Sequence, residues 1–196
     1  MKNFLILFLS LFLFLQNLIA DEKEEVKNKF LSKIDNIILI IENKTLTKDQ
    51  RNEKIVDILS PMSDFELMAK LSLGKVWRTL NKQNKDKFVK LYVERMKKSY
   101  SSKLDTYNNQ KVQVTKIEQP KPNRIELFTN ILNGKEKFDI SYKYYKTSKA
   151  KDKKDRWLIY DVVILGVSML KTDRAQFKEF LRTKSINDLM KQLNKK

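Results

Sequence analysis

The segment WLIYDVVIL, residues 157–165, carries apolar side chains at both alternating positions of an extended chain. In a regular strand, one face would hold Trp157, Ile159, Val163 and Leu165, and the other Leu158, Tyr160, Val162 and Ile164. A strand that is apolar on both faces must be covered on both faces. Either helices pack on both sides of this strand, or one face lines a cavity that a ligand fills.

The first half of the chain has the periodicity of amphipathic helices. Apolar residues recur at helical spacing over residues 22–42, and further apolar stripes continue to about residue 106. Capping patterns predict where the next helices start. These patterns are Thr47 with Gln50, Ser63 with Glu66, and Asn81.

From Lys111 the apolar period changes from about 3.6 to 2, which indicates strands over residues 111–165. Four strands are predicted, and Asn133-Gly134 between the second and third is a hairpin signal. The charged segment 148–155 joins the last two strands. Gly166 ends the fourth strand, and two helices are predicted over about 167–194, the second capped by Ser185 with Asp188. This order favours an α+β fold with an antiparallel meander that curls around helices.

The N-terminus has the pattern of a secretory signal peptide. Lys2 is followed by a long apolar run, and Ala20 stands just before the acidic segment DEKEE. The run is shorter than the roughly 20 residues that span a bilayer, so we expect cleavage after about Ala20 rather than an anchor. Residues 21–196 then form a single domain.

Composition excludes several kinds of chemistry. The chain has neither cysteine nor histidine, so disulfides, histidine metal sites and Ser-His-Asp or Cys-His catalysis are ruled out. The formal net charge of +17 indicates an anionic partner. No nucleic-acid-binding signature is present, and an exported protein rarely meets nucleic acid, so anionic lipid head groups or membrane surfaces fit better.

Asp161 lies within the apolar strand segment. A buried carboxylate without a partner is costly, so we expect it to pair with Arg174 or with the backbone at the start of the following helix. Its alternative role is a catalytic acid at the bottom of an apolar cavity. With no histidine and a single carboxylate in this segment, a structural role is favoured.

Two segments resemble the MlaC family, also called the toluene-tolerance auxiliary proteins. Residues 157–193 are similar to its C-terminal signature, with Tyr-Asp in the strand and Gly-Val-Ser at residues 166–168. Residues 64–100 are similar to its earlier Leu-Gly-x-x-aromatic step and the helix after it. Two positions depart from the family pattern: Leu165 stands where an acidic residue often precedes the glycine, and Ser185 where a glycine often starts the last helix.

The resemblance implies a periplasmic phospholipid carrier of cystatin-like or nuclear-transport-factor-like fold. Acyl chains would enter a hydrophobic cavity between a curved four-stranded sheet and the helices, while the head group stays outside. The implied partners are phospholipid, an MlaA-like lipoprotein complex at the outer membrane and an MlaD-like ABC transporter complex with MCE domains at the inner membrane. Such a carrier maintains outer-membrane lipid asymmetry. We expect a monomer without cofactor, metal or catalytic residue.

The sequence also yields candidate site residues. Gly166, Ser168, Arg174 and Asp161 are predicted to be structural. The residues predicted to line the lipid cavity come from the helical stripes, the sheet and the strand–helix junction. They are Phe65, Met68, Leu71, Val76, Trp77, Phe88, Tyr92, Tyr142, Ile159, Val163, Leu165, Val167 and Met169.

Other classes of function stay open from the residues alone. A cavity enzyme, or a carrier for another apolar molecule, would use the same fold. A cationic structural or adhesion protein would bind anionic surfaces in a salt-dependent way and hold no ligand.

Overall fold

The structure of the chain is a computed structural model. It describes residues 2–104, 110–134, 136–148 and 156–195, and the side chains in these ranges except those of residues 2–21 and 100–104. The side chains of the expected signal peptide, residues 1–20, and most of the charged segment 148–155 therefore lie outside the described residues.

The order of elements is helices, a sheet, and helices again. The first helices are α1 Lys2–Glu42, α2 Lys48–Leu59, α3 Phe65–Leu73 and α4 Lys82–Leu104, with 3₁₀ turns at Ser60–Met62 and Gly74–Thr79. The strands are β1 Lys111–Lys121, β2 Arg124–Asn133, β3 Glu136–Lys146, β4 Trp157–Ile164 and β5 Val167–Ser168. The last helices are α5 Met169–Phe180 and α6 Ile186–Lys195.

All five strands form one antiparallel sheet in the order β1-β2-β3-β4-β5. The predicted α+β class and antiparallel meander are confirmed, including the hairpin at Asn133-Gly134. The number of strands is five rather than four. Val167 and Ser168, which were predicted to begin a helix, pair with the end of β4 instead, and the helix begins at Met169.

The turn between β4 and β5 explains this difference. Leu165 and Gly166 both have positive φ, 49° and 79°, as the two-residue type I′ hairpin loop requires. The Leu165 amide donates to the Asp139 carbonyl at 2.9 Å, which extends the pairing with β3. The chain therefore reverses and forms a short strand before the helix starts.

Three of the predicted helix caps are confirmed and one is wrong. The confirmed caps are the Thr47–Gln50 box, Asn81, and Ser185 with Asp188. The third helix is capped by Asp64, which accepts from the Leu67 amide at 2.8 Å, and not by Ser63. Ser63 is extended because it forms a parallel bridge with Ile159 of β4, so the helix begins later.

A β-bulge in β4 determines which side chains share a face. Tyr144 of β3 pairs with Ile159, and Lys143 pairs with Asp161, so Tyr160 is an extra residue. Beyond the bulge the alternation is reversed. Trp157, Ile159, Val162 and Ile164 share the face of Tyr144, whereas Leu158, Tyr160, Asp161 and Val163 lie on the opposite face. The expectation that Ile159 and Val163 share a face is therefore wrong.

Protein covers both faces of β4. One face packs against α1 in an apolar core, the sheet core, that consists of Val26, Phe30, Met62, Ile125, Leu127, Tyr144, Trp157 and Ile159. On the other face, Asp161 contacts the start of α5, and the Arg124 guanidinium lies 5.4 Å from the Tyr160 ring. The start of helix α3 lies on the same face, because the Tyr145 hydroxyl donates a hydrogen bond to Asp64, the N-cap of α3.

A second apolar core, the helical core, lies among α3, α4, α5 and α6. Its buried members are Phe65, Met68, Ala69, Leu73, Leu80, Phe88, Tyr92, Met96, Phe177, Leu189, Met190 and Leu193. Asp173 is buried beside it, where it accepts from the Tyr92 hydroxyl at 2.8 Å and pairs with Arg95 at 2.8 Å. These contacts join α4 to α5.

The strained turn gives the first prediction. Replacing Leu165 by asparagine should raise the free energy of unfolding by about 0.5–1 kcal/mol, because asparagine adopts positive φ more readily than leucine. Urea denaturation measures this change. Val167→Asn is the matched control, because Val167 is also exposed but extended; there asparagine should lower stability. A lower stability for Leu165→Asn would contradict the assigned turn.

Candidate functional site

The structure separates the thirteen residues predicted to line a lipid cavity. Phe65, Met68, Phe88 and Tyr92 are buried members of the helical core, and Val76 and Trp77 pack against it. Ile159 and Tyr142 belong to the sheet core or pack on it. Leu71, Val163 and Met169 are half-buried and belong to neither core, and Leu165 and Val167 are exposed.

The helical core is filled by protein side chains. The rings of Phe88 and Tyr92 contact Phe177 edge-to-face, with centroids 5.9 and 6.4 Å apart. Phe88 and Tyr92 are fully buried, so protein atoms already occupy the space around them. Among the described residues, this part of the predicted lining faces packed protein and not a cavity.

An apolar cleft lies between α1 and the sheet. We call it the α1 cleft, and it is lined by Glu25, Val26, Lys29, Phe30, Met62, Tyr144 and Trp157. Its volume is about 10 Å³, which is room for about one water molecule. Ligand pockets have volumes of roughly 300–1,000 Å³, so the structure holds α1 closed against the sheet.

The residues of the α1 cleft are not in the predicted lining set. Val26 and Phe30 belong to the apolar stripe that the helical periodicity predicts over residues 22–42, but such a stripe has the same pattern whether it faces a packed core or a cavity. The signal in the sequence is the pair of tyrosines, Tyr142 and Tyr144, on the apolar face of β3. Large amphipathic side chains on an inward face indicate a place where polar and apolar groups meet.

These two tyrosines have different hydrogen bonding. Burial raises the pKa of Tyr142 to about 12, with a hydrogen bond to Thr129 acting in the opposite direction. Burial also raises the pKa of Tyr144, and the neighbouring Tyr142 adds to the effect. The Tyr144 hydroxyl is buried without a hydrogen-bond partner among the described residues. Both hydroxyls therefore stay protonated at physiological pH.

Asp161 is a buried carboxylate whose two oxygens are both bonded. One accepts from the Leu170 amide at 3.1 Å, and the other accepts from the Ser168 hydroxyl at 2.7 Å and lies 3.9 Å from Lys143. Of the two partners expected for Asp161, the structure shows the backbone at the helix start. Arg174 lies elsewhere, with its guanidinium against Gly74.

Other predicted site residues lie at the surface. Trp77 lines an open groove beside α4, where the Lys85 ammonium is 5.7 Å from its ring. Val163 and Gly166 line a groove on the opposite face of the sheet from α1, together with Ser141 and Glu126. Neither groove is continuous with the α1 cleft through shared lining residues.

Metal sites and membrane-spanning helices are both absent from the described residues. None of the clusters of acidic residues there has the three groups that a metal ion would need. No helix in that part of the chain combines the length and apolar content required to cross a membrane.

The fold defines the class as an α+β protein in which helices flank an open antiparallel sheet. The model of the MlaC protein family matches residues 32–195, and the chain belongs to this family. The predicted family is thereby confirmed.

Two similar proteins are informative. The intermembrane phospholipid transport system binding protein MlaC of Haemophilus influenzae is 28% identical over 135 residues, which are 67% of this chain and 61% of that protein. The matched region thus spans less than two thirds of that relative. The phospholipid-binding protein from Ralstonia solanacearum, solved in complex with a phospholipid, has a TM-score of 0.73 at 17% identity and covers 88% of this chain and 94% of its own. That likeness establishes the fold.

Asp161 gives the second prediction. Asp161→Ala should lower the free energy of unfolding by about 2–4 kcal/mol, because it leaves the Ser168 hydroxyl, the Leu170 amide and Lys143 without their common partner. Thermal and urea denaturation measure the loss. Asp139→Ala on β3 is the control; it removes an exposed pair with Lys137 and should change stability by about 0.5 kcal/mol at most. Equal effects of the two substitutions would contradict the structural role.

Proposed function

We propose that this protein is a periplasmic carrier that binds phospholipid and moves it between the two membranes. The observation that carries the proposal is the α1 cleft, an apolar seam between a helix and an open sheet in a chain of the MlaC family. The names of its relatives support phospholipid as the ligand. The apolar residues predicted from the sequence to line the cavity remain candidates for contacts in an opened state.

Loading requires α1 to move away from the sheet. The contacts between α1 and the sheet core are largely apolar, so acyl chains can replace side chains as the covering of Phe30 and Trp157 at little net cost. A charged contact, Glu22 with Lys146, also joins α1 to β3. Side-chain packing fills the cleft when α1 is closed, because a large void would forfeit packing energy.

The energetics explain why such a carrier needs docking partners. Each buried methylene contributes about 0.8 kcal/mol, so two acyl chains with roughly 30 methylenes represent on the order of 20 kcal/mol of gross burial. Lipid therefore does not escape into water on a useful timescale. We propose hand-over at an MlaA-like lipoprotein complex of the outer membrane and an MlaD-like MCE-domain transporter complex of the inner membrane, which together maintain lipid asymmetry.

In this proposal the protein performs no covalent chemistry. Both oxygens of Asp161 already bond to protein groups, which argues against a free catalytic acid in the apolar strand. The excess of basic residues, 41 against 24 acidic ones, favours approach to anionic lipid surfaces. The N-terminal signal peptide, with cleavage after about Ala20, would deliver the chain to the periplasm as a monomer.

The third prediction tests the ligand and its location. Native mass spectrometry of the protein purified from a periplasm without detergent should give masses of bound phospholipid at near-unit stoichiometry, identified after organic extraction. Val26→Phe adds volume inside the α1 cleft and should reduce the bound fraction several-fold. Leu39→Phe on the exposed side of α1, where 66% of Leu39 is accessible, should leave it unchanged.

Circular dichroism and thermal melts would check that both variants are folded. An apo mass alone, with no uptake from labelled phospholipid vesicles, would contradict the carrier function. Bound phospholipid that is equal in Val26→Phe and wild type would place the ligand outside the α1 cleft.

A further inference from the structure

Tyr144 lies in the wall of the α1 cleft. It is 4% exposed, and its hydroxyl oxygen is one of two buried side-chain atoms without a hydrogen-bond partner among the described residues. Buried hydroxyls nearly always have a partner, because water is lost on burial and must be replaced. An exception in the wall of an apolar cleft indicates a partner that comes from outside the protein.

The neighbouring polar groups do not supply that partner. Tyr142 lies on the same face of β3, and its hydroxyl has a hydrogen bond with Thr129. The centroid of its ring is 4.8 Å from that of Phe30. Tyr145, on the opposite face, donates to Asp64. Of these three β3 tyrosines, Tyr144 alone has a hydroxyl with no bond among the described residues.

The polar groups of α1 lie at the same cleft. Glu25 and Lys29 are one helical turn apart and contribute to its lining, with Lys29 half-buried. Gln119, whose Oε1 is the other unpartnered buried atom, bonds through Nε2 to Glu22 at 3.4 Å. Glu22 in turn pairs with Lys146, whose ammonium lies 5.7 Å from the ring of the cleft residue Trp157. This end of the α1 cleft therefore combines an apolar floor with polar groups.

The protonation of Tyr144 suits a hydrogen-bond donor. Because burial raises the pKa of its hydroxyl above the ordinary tyrosine value, the proton is retained at physiological pH. A protonated hydroxyl can donate to the acceptor oxygens that a phospholipid carries at its phosphate and its glycerol esters. A hydrocarbon ligand without such oxygens would leave the hydroxyl unbonded.

We propose that the Tyr144 hydroxyl donates a hydrogen bond to a phosphate or ester oxygen of the bound phospholipid. The bond fixes how deeply the lipid enters, with the acyl chains against Phe30, Met62 and Trp157 and the polar region beside Lys29. This inference rests on the proposed carrier function and adds the residue that recognises the polar part of the lipid.

Tyr144→Phe tests the proposal because it removes the hydroxyl and keeps the ring. Wild-type protein and variant are mixed with vesicles of phosphatidylethanolamine and phosphatidylglycerol that contain a radiolabelled phospholipid, and bound label is measured against lipid concentration. The variant should bind about fivefold more weakly, as expected for the loss of one hydrogen bond. Its Tm should stay equal or rise by about 2–4 °C, since an unpaired buried hydroxyl is gone.

The control is Tyr145→Phe, the next residue on β3. It loses the bond to Asp64, so its Tm should fall by about 2–4 °C while phospholipid binding stays within about twofold of wild type. Tyr144→Phe should therefore weaken phospholipid binding without lowering the Tm, whereas Tyr145→Phe should lower the Tm without weakening phospholipid binding. Weaker binding that accompanies a lower Tm in Tyr144→Phe would assign the hydroxyl a merely structural role and overturn the proposal.

Two further outcomes distinguish a failure of the proposed Tyr144 hydrogen bond from a failure of the proposed carrier function. Unchanged phospholipid binding by Tyr144→Phe, while wild type binds, would mean that the hydroxyl bonds only to water, and this inference would fail while the carrier function stands. No phospholipid binding by the wild type would overturn the carrier function itself, and the inference with it.

Discussion

The arrangement of this protein depends on the need to cover β4 on both faces. A strand with apolar groups on each side cannot lie at a solvent-facing layer, so helices are required on both sides of this part of the sheet. The bulge at Tyr160 reverses the alternation of side chains along β4 and so determines which of them lies on each face. It places Trp157 and Ile159 with Val162 against α1, and it directs Asp161 toward the start of α5. One extra residue thereby connects the sheet to two separate helical layers.

Local patterns predicted the fold well, because local interactions determine helix starts and strand periodicity. The Thr47–Gln50 box and the Asn81 cap each depend on groups within three residues, so the sequence contains the whole interaction. The cap at Ser63 was wrong because a partner nearly a hundred residues away, Ile159, holds that residue extended. The bulge was also missed, because it depends on pairing with β3. The Leu165-Gly166 turn was missed because leucine rarely adopts the positive φ that the turn requires.

The candidate site was harder to predict for a related reason. Phe88 and Phe30 both stand in apolar stripes of amphipathic helices, and nothing local tells which stripe meets another helix and which meets the sheet. The structure assigns them to different cores. Polar groups were more informative than apolar ones, since a buried tyrosine hydroxyl or carboxylate needs a specific partner and the identity of that partner reveals the environment.

The two cores differ in how easily a ligand could enter them. In the helical core, Asp173 holds Tyr92 and Arg95 through directional bonds, and three aromatic rings fill the space beside it. Opening that core would leave a buried carboxylate unpaired, which is strongly unfavourable. Contacts between α1 and the sheet core are mostly apolar and non-directional, and the polar exceptions include those of Glu22 with Lys146 and Gln119. In the proposed carrier, acyl chains replace the apolar contacts. The carrier proposed above therefore opens at the seam beside α1 and not in the helical core, because only opening the helical core would leave a fully buried carboxylate unpaired.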